Sequence, residues 1–433
     1  MGRLMLIALR NLLSHKKRSL LLGLAISAVT MLLVLLTSVS NGIQSTMLRA
    51  ATTVSTGHVN VGGFYKITSG QAAPVLIDYQ PLKKLVEKKV GANARVTDRL
   101  RGWGKVVSPT SSIQVGIAGI DIEKEPTLAE VVTIAKGDLM GLKRRGTVMI
   151  SEKQAKRLEI GVGDNLTLSA LTVRGSHNAL DVEVVAICKD IGFLTLFNVF
   201  VPKHVVRDIY LMSKDTTGAV MIYLDDANGS ADLAAKLRTE LEKAKYRVME
   251  PQADPFWMKF PIVSREAWTG QKLDVTTWED EMSMLTWVVK AFDGLTAIVV
   301  GILLVIIVVG VNNTLWVTIR ERTAEIGTLR AIGMSRPRVL LMFLLEAALL
   351  SVSATSLGAI LGVAGSALVN AIQIGVSEGF SIFLMSDTLR LVVAPASVIQ
   401  AVVSISLITT LFALYPAYRA ARLRPVLAIS HVG

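Results

Sequence analysis

Few side chains in this sequence have types and spacing that could perform catalysis. No GxxxxGK[ST] phosphate loop occurs, and the one SxxK match, Ser14 to Lys17, lies in a basic segment. The single cysteine, Cys188, offers neither an internal disulfide nor a metal site. No HExxH or other ligand spacing occurs among the histidines, which are His15, His58, His177, His204 and His431. We therefore predict no metal site, no catalysis and no ATP hydrolysis by this chain itself.

The chemistry that remains is ionic, and it is concentrated in RERTAEIGTLRAIGMSRPR, residues 320–338. Uncharged residues Leu295 to Val317 precede this segment, and Val339 to Val363, whose one charge is Glu346, follow it. Each apolar run is long enough to cross a bilayer as a helix. An excess of arginine next to membrane helices marks the cytoplasmic side. The arginines are Arg320, Arg322, Arg330, Arg336 and Arg338.

A short helix is predicted inside this segment. Gly333 followed by Pro337 is a helix stop signal. Between the charges, small and apolar residues form one compact surface, which comprises Ala324, Gly327, Leu329, Ala331 and Ile332. We expect a helix held parallel to the membrane with an exposed face that a cytoplasmic partner can bind.

Two motifs resemble a known family. The run ERTAEIGTLRAIGMSR is similar to the signature of the FtsX-like permease domain, which is shared by MacB-type exporters, the lipoprotein-releasing LolC/LolE subunits and the FtsX division proteins. The run YPAYRAARLRP, residues 415–425, resembles the tail after the last membrane helix of these permeases. The resemblance implies that the first motif couples to an ATPase through Arg320, Glu321, Arg322, Glu325, Ile326, Gly327, Arg330, Ala331 and Gly333. It implies a cytoplasmic tail motif of Pro416, Arg419, Ala420, Ala421, Arg422 and Pro425.

The resemblance also implies partners. It predicts two copies of a separate cytoplasmic ABC ATPase, which would hold the ATP and magnesium, so that this chain needs no cofactor. It predicts a second permease subunit, identical or paralogous, and a lipoprotein carrier or periplasmic adaptor as further partners.

Composition supports a membrane protein. The chain has 433 residues, 51% of them hydrophobic, and a net charge of +12. Residues 41–284 contribute a net charge of only +3, whereas the membrane-flanking remainder contributes +9. Such a distribution follows the rule for cytoplasmic loops and argues against a basic groove for nucleic acid.

The predicted fold is an integral membrane α-helical protein of four transmembrane helices, with a large extracytoplasmic α+β domain inserted between helices 1 and 2. Residues 1–19 form an amphipathic helix on the inner surface, and 20–40 the first membrane helix, retained rather than cleaved as a signal peptide. The permease domain, 285–433, holds further membrane helices at about 291–317, 339–372 and 391–415, with the coupling helix at 320–334. Both termini are expected in the cytoplasm, in an inner-membrane protein.

Residues 41–284 are predicted to be a MacB-like core. Two βαβ-like pieces, 41–105 and 203–284, form one split subdomain, and the turn-rich, β-like residues 106–202 are inserted into it. The second piece places strands at Ala219 to Leu224 and Tyr246 to Glu250, with Ser230 as the N-cap of the helix between them.

Two smaller sets of residues have predicted roles. Gly358 and Gly362 allow close helix approach, and Glu346 is expected to pair with an arginine of the charged segment rather than transfer protons. Aromatic residues before the second membrane helix form either an interfacial belt or a surface for amphiphilic cargo or a periplasmic partner. The cargo hypothesis names Trp257, Met258, Phe260 and Trp268.

The function predicted from the resemblance is the membrane subunit of a MacB/LolCDE-like ABC transporter, a mechanotransmission device rather than an enzyme. Lipoprotein release ranks first as its task. MacB-type tripartite export of drugs, peptides or lipids is the close alternative, and a regulator that gates a cell-wall hydrolase is the alternative of another class.

Overall fold

A computed structural model describes residues 2–14, 16–68, 71–91, 94–172, 174–190, 192–377, 386 and 388–422. The chain forms two compact units. The first contains residues 1–45, 289–375 and 388–433, and the second contains residues 46–288 and 376–387.

The first unit is helical. It is built from α1 (Gly2–Ser14), the first part of α2 (Lys16–Val54), most of α11 (Ser283–Glu321), α12 (Thr323–Ala331), α13 (Arg336–Ile372) and α14 (Pro395–Ala421). Among the described residues four helices are long and apolar enough to cross a membrane, and they cover Ser19–Val54, Thr286–Glu321, Arg336–Ile372 and Pro395–Ala421.

These helices are longer than the predicted membrane segments. Helix α2 continues past residue 40 because Asn41 and Gly42 do not end it. A Cβ on Gly42 would lie 1.8 Å from the Arg390 carbonyl oxygen, so this glycine serves close packing rather than termination. Helix α14 likewise passes through Tyr415 and Pro416 to Ala421.

The second unit also contains α3 (Tyr79–Val90), α4 (Pro126–Val131), α5 (Glu152–Leu158), α6 (Gly192–Phe197), α7 (Lys203–Tyr210), α8 (Ser230–Lys243), α9 (Phe256–Arg265) and α10 (Trp278–Glu281). Its strands are β1 (Val59–Thr68), β2 (Gln71–Ala73), β3 (Leu76–Ile77), β4 (Ala94–Val107), β5 (Ser112–Ile120), β6 (Ile134–Gly137), β7 (Thr147–Ser151), β8 (Asn165–Leu171), β9 (His177–Cys188), β10 (Asn198–Pro202), β11 (Thr216–Thr217), β12 (Ala219–Leu224) and β13 (Gly270–Thr277).

One sheet organises this unit. Among the described residues it has eleven strands in the order β13-β1-β12-β4-β5-β10-β7-β9-β6, with β2 beside β1 and β8 beside β4 and β9. Pairing is antiparallel except for β5 with β10 and β7 with β9. Strands β3 and β11 form a separate pair.

Two hydrophobic cores divide the sheet, and β4 passes through both. Val96 packs against the core formed by β1, β12, β13, α3 and α8, whereas Leu100 and Val106 belong to the other core. The predicted boundary at residues 105 and 106 is therefore wrong, because the division falls inside one continuous strand. Residues Val205, Val206 and Ile209 of α7 pack into the second core, so α7 belongs with the insert and not with the 203–284 piece.

Two local predictions are wrong. Ser230 is not an N-cap, because its hydroxyl donates to the Ala227 carbonyl, while the Asp226 side chain accepts from the Asn228 N–H and caps the preceding turn. Residues 246–250 form no ladder strand. Only an isolated bridge joins Val248 to Leu273 there.

Candidate functional site: the short helix α12

Helix α12 is shorter than the predicted segment 320–334. Helix α11 continues through Arg320 and Glu321, and α12 begins only after Arg322. At the other end the Gly333 N–H donates to the Arg330 carbonyl and the Met334 N–H donates to the Leu329 carbonyl. This pair of bonds is a Schellman motif, and the φ of 104° at Gly333 is the left-handed conformation that favours glycine. The predicted stop at Gly333 is confirmed.

Arg322 ties α12 to the helix that follows it. Its guanidinium lies 3.0 Å from Glu325 Oε2 and 3.3 Å from Glu346 Oε2. The side chains of Arg322 and Glu346 are 9% and 12% exposed, whereas that of Glu325 is 63% exposed. The predicted pairing of Glu346 with an arginine of the segment is therefore present. A carboxylate in an apolar helix is stabilised by such a partner.

One face of α12 is buried. Ile326 and Gly327 are buried, and Ile326 packs in a cluster with Ile319, Val339, Met342, Phe343 and alanines of α14. The prediction that Gly327 lies on the exposed surface is wrong, because this face joins α12 to its neighbours.

The opposite face is exposed. It presents Glu325, Thr328, Ala331 and Ile332, with Ile332 79% exposed, and Arg320, Glu321 and Gly333 are exposed beside it. Two carboxylates and one large apolar side chain therefore face outward from a helix whose other side is fixed. Such a surface can bind a partner through a charged rim and an apolar centre.

The tail motif also contacts α12 on its buried side. The Arg330 Nη1 donates to the Ala421 carbonyl at 2.7 Å. Pro416, Ala420 and Ala421 are buried. The Arg419 guanidinium lies 5.9 Å from the Trp316 ring and that of Arg422 lies 4.5 Å from the Tyr418 ring. Pro425 lies outside the described residues. Sequence reasoning missed the link from Arg330 to the tail, because no spacing signal joins positions 91 residues apart.

The two packing glycines do meet another helix. A Cβ on Gly358 would lie 2.3 Å from the Ser27 carbonyl oxygen, and one on Gly362 would lie 2.8 Å from Val34 Cβ. Helices α13 and α2 therefore approach closely enough that neither position accepts a side chain without movement. The Thr355 and Ser406 hydroxyls, 3.0 Å apart, link α13 to α14.

The four residues of the proposed cargo surface do not form one exposed patch. Trp257 and Met258 are 44% and 39% exposed on α9, but Phe260 is partly buried and packs against Phe64. The Trp268 ring lies 5.0 Å from Lys66 Nζ and 5.7 Å from both Arg247 and Lys272, and its Nε1 donates to Glu266. Cations therefore occupy the surroundings of Trp268.

Helix α9 buries a charged side chain and exposes apolar ones. Lys259 points inward and lies 2.8 Å from Asp274 Oδ2, with both side chains buried. Burial raises the pKa of Asp274 although Lys259 acts to lower it. Trp257, Met258 and Ile262 point outward instead. The exposed part of the predicted surface is thus a face of α9.

The helical unit has little room for a cofactor among its described residues. No group of three or more His, Cys, Asp or Glu among them could hold a metal ion. A cavity of ≈ 40 Å³ lies between the membrane-length helices and is lined by residues that include Glu346, Thr318 and Thr409. Organic ligands occupy cavities of about 300–1,000 Å³, so this one is too small for them. An open pocket of ≈ 340 Å³ in the second unit reaches that range, and its lining includes Leu224, Asp226 and Leu233.

Comparisons with known proteins agree with this architecture. The MacB-like periplasmic core domain family matches residues 19–240, and the FtsX-like permease C-terminal family matches residues 297–425. The macrolide export ATP-binding/permease protein MacB of Campylobacter jejuni is 23% identical over 437 residues, which cover 98% of this chain and 60% of that protein. The protein of the same name from Bdellovibrio bacteriovorus is 33% identical over a match that covers 37% of this chain and 23% of that protein. The protein named MacB 2 from Yersinia pestis bv. Antiqua is 36% identical over a match that covers 31% of this chain and 18% of that protein. The chain thus spans 60% or less of these relatives.

Solved structures were matched as well. The extracellular domain of the ABC-type transporter YknZ from Gram-positive bacteria matches at a TM-score of 0.30 and 13% identity, covering 43% of this chain and 95% of that one. The periplasmic region of MacB from Actinobacillus actinomycetemcomitans matches at 0.29 and 12%, covering 56% and 98%. The family matches, which together reach from residue 19 to residue 425, place this chain in the MacB-like family of ABC transporter permeases, with a MacB-like periplasmic core domain and an FtsX-like C-terminal region.

Proposed function

We propose that this chain is the membrane subunit of a MacB-like ABC transporter, energised by a separate ATPase that docks on the exposed face of α12. The main support for this proposal is that one face of α12 is buried against its neighbours and the other is exposed. Ile326, Gly327 and Arg322 fix one side, while Glu325 and Ile332 stand open on the other. The ATPase supplies the phosphate loop, ATP and Mg²⁺, and this chain supplies no catalytic group.

Helix α12 is bonded to two membrane-length helices, α13 and α14, and can therefore pass a movement on to them. Arg322 joins it to Glu346 of α13, and Arg330 joins it to the end of α14. Close packing at Gly358 and Gly362 joins α13 to α2. Because packed interfaces shift as bodies rather than deform continuously, a displacement of α12 on nucleotide binding moves these helices together. Two copies of the chain, or a paralogous pair, complete the working unit.

The substrate class that we propose is an amphiphile, released or exported from the outer side of the membrane. The small cavity near Glu346 does not fit an organic substrate, so the work is assigned to the extracytoplasmic domain. The outward face of α9, with Trp257 and Met258, supplies an apolar contact surface there. Lipoprotein release is the task that we rank first. Export of macrolide-like drugs, with a periplasmic adaptor, is the second candidate, favoured by the names of the relatives.

The docking assignment is tested by substitutions in α12. Glu325→Lys reverses a charge on the exposed face, and Gly333→Asp places a non-glycine residue at a φ of 104°. We expect each to lower stimulation of the ATPase in reconstituted complexes by about fivefold or more. Glu242→Lys, an exposed carboxylate of α8, is the matched control and should leave stimulation unchanged. Normal stimulation with both α12 variants would remove the docking site from this helix.

The substrate assignment needs a separate test. A photo-crosslinker at Trp257 should capture an acylated protein from membranes if the chain releases lipoproteins, and a drug analogue if it exports macrolides. The same crosslinker at Trp287, which is 73% exposed on α11, serves as the control for general membrane proximity. Equal capture of phospholipid at both positions would favour an interfacial belt over a cargo surface.

A further inference from the structure

Arg99 of β4 is hydrogen-bonded to the C-terminal end of α2, the first membrane-length helix. Its Nη1 donates to the Val54 carbonyl at 2.7 Å and its Nη2 donates to the Thr53 carbonyl at 2.6 Å. These carbonyls belong to the last turn of α2, where backbone acceptors lack helical partners and a positive charge is favourable. The Arg99 Nε also donates to Glu125 Oε2 at 2.7 Å, and both side chains are buried.

Arg101, two residues further along the same face of β4, contacts the last residue of α10, the short helix that precedes α11. Its Nη1 lies 3.5 Å from Glu281 Oε1, and its guanidinium lies 4.1 Å from the Phe256 ring. Glu281 ends α10, two residues before α11 begins, and its Oε1 also accepts from the Thr276 hydroxyl at 2.8 Å. The Arg101 and Glu281 side chains are 11% and 5% exposed.

Glycines make room for Arg101. A Cβ on Gly62 would lie 2.4 Å from Arg101 Nη2, and one on Gly218 would lie 2.6 Å from the Arg101 backbone nitrogen. Neither glycine has a positive φ, so space rather than backbone conformation explains them. The arginine pair therefore occupies a built site.

We infer that Arg99 and Arg101 are positioning residues that fasten the end of α2 and the short helix α10, which leads directly into α11, to one strand, so that the domain follows both long helices together. This inference rests on the proposed function, in which movement of the helices is the signal. Strand β4 passes through both hydrophobic cores of the domain. A displacement of either helix end therefore reaches both halves of the sheet without a flexible linker.

A buried ion pair that only stabilises the fold has different neighbours. Lys259 and Asp274 are as buried as Arg99 and Glu125, but their ion pair joins α9 to β13 and does not involve α2. Asp274 also interacts electrostatically with Arg101 and Glu281, so the pair is a control for the Arg99 half of the site. This pair supplies the matched control. Replacing both members of a buried pair by apolar residues leaves no unpaired charge and is commonly tolerated.

The experiment uses the full chain with its co-purified ATPase in nanodiscs. Nitroxide labels are placed at Lys236→Cys on α8 and Ala371→Cys on α13, both exposed, while the native Cys188 is buried and escapes labelling. Distance distributions are recorded by pulsed electron resonance with and without a non-hydrolysable ATP analogue. The test variant is Arg99→Met with Glu125→Leu, and the control variant is Lys259→Met with Asp274→Leu.

We expect the nucleotide to shift the distance in the unmodified chain and in the control variant, and the shift to be lost in the test variant. ATPase binding and stimulation should persist in all three, because α12 is unchanged. Should Arg99→Met with Glu125→Leu fail to fold, Arg101→Gln replaces it, with the same expectation. A full shift in the folded variant would overturn the inference and leave the proposed function standing. Absence of ATPase binding by the unmodified chain would instead overturn both.

Discussion

Two arginines, each next to the end of a long helix, make contrasting arrangements. Arg322 stands at the end of α11 and divides its charge between Glu346, which is largely buried, and Glu325, whose side chain is 63% exposed. Arg99 stands at the end of α2 and is enclosed with Glu125, whose side chain is 4% exposed, and with two helix-end carbonyls. Charges that share solvent are screened and can change partners, whereas enclosed charges cannot leave without a large desolvation penalty.

In the proposed function, this difference gives each of the two helix ends a separate task. The open end, at Arg322, can exchange Glu325 for a group on a docking partner at little cost. At the enclosed end, Arg99 holds the last turn of α2 against β4, so that helix end and strand can move only together. The proposed transmission of movement from α12 to the core domain needs both properties.

The largest effect is expected for Arg99→Met alone. This change leaves Glu125 buried without its guanidinium and two helix-end carbonyls without a donor, and it should lower the free energy of unfolding of the second unit by about 3–5 kcal/mol. Adding Glu125→Leu should recover most of this loss, because no unpaired charge then remains. Urea unfolding followed by tryptophan fluorescence measures both. An effect under about 1 kcal/mol for the single variant would mean that the site is open to water.

A smaller effect is expected where α13 packs against α2. Gly358→Ala puts a methyl group 2.3 Å from the Ser27 carbonyl oxygen, so the helices must separate, at about 1–3 kcal/mol. Gly301→Ala, on α11, meets nothing within 4 Å and should stabilise its helix by up to about 1 kcal/mol. Thermal unfolding in detergent compares them, and equal melting temperatures would contradict the packing described.

At the open end, Glu346 and Glu325 should differ although both bond to Arg322. Glu346→Gln removes the largely buried partner and should cost about 1–2 kcal/mol, whereas Glu325→Gln should cost less than about 0.5 kcal/mol because that side chain is exposed. The same thermal measurement applies. Equal losses would show that Arg322 is not divided between a buried and an exposed partner.

A pH-dependent effect is expected on the other face of β4, at Asp98. Burial acts to raise the pKa of Asp98, but Lys203 at 2.8 Å and Lys83 at 3.0 Å outweigh it and the pKa is lowered. A carboxyl whose folded pKa is lowered contributes stability above its ordinary pKa and loses it as the pH falls through the folded value. Asp98→Asn should therefore cost about 1 kcal/mol at neutral pH, and this difference should vanish in acid. Urea unfolding across pH tests this, and a difference that persists in acid would contradict it.

Features that depend on neighbouring residues could be predicted from the sequence, whereas contacts between residues far apart in the chain could not. Long apolar runs are local, so four membrane-length helices and the stop at Gly333 followed from composition and turn chemistry. Glu346 in an apolar helix required a nearby cation, and its pairing with Arg322 was predictable. Helix ends were less accessible, since nothing local marks where α2 or α14 leaves the membrane.

The enclosed end could not have been predicted. Arg99 reads in the sequence as one of many charges on a strand, and its partners Val54 and Glu125 are 45 and 26 residues away. Gly62 and Gly218 gave no signal either, because the space that they leave is filled by a side chain from another strand. Such contacts depend on sheet register, which a single sequence does not reveal for strands far apart.

The most direct test of the central claim, that a separate ATPase binds the open face of α12, is site-specific crosslinking in membranes. A benzophenone residue at Thr328, exposed on α12, is compared with one at Ser353, exposed on α13. We expect an ABC ATPase to be captured at Thr328 and not at Ser353, and capture at Thr328 to be lost with Glu325→Lys. Capture of no ATPase at Thr328, or equal capture at both positions, would contradict it.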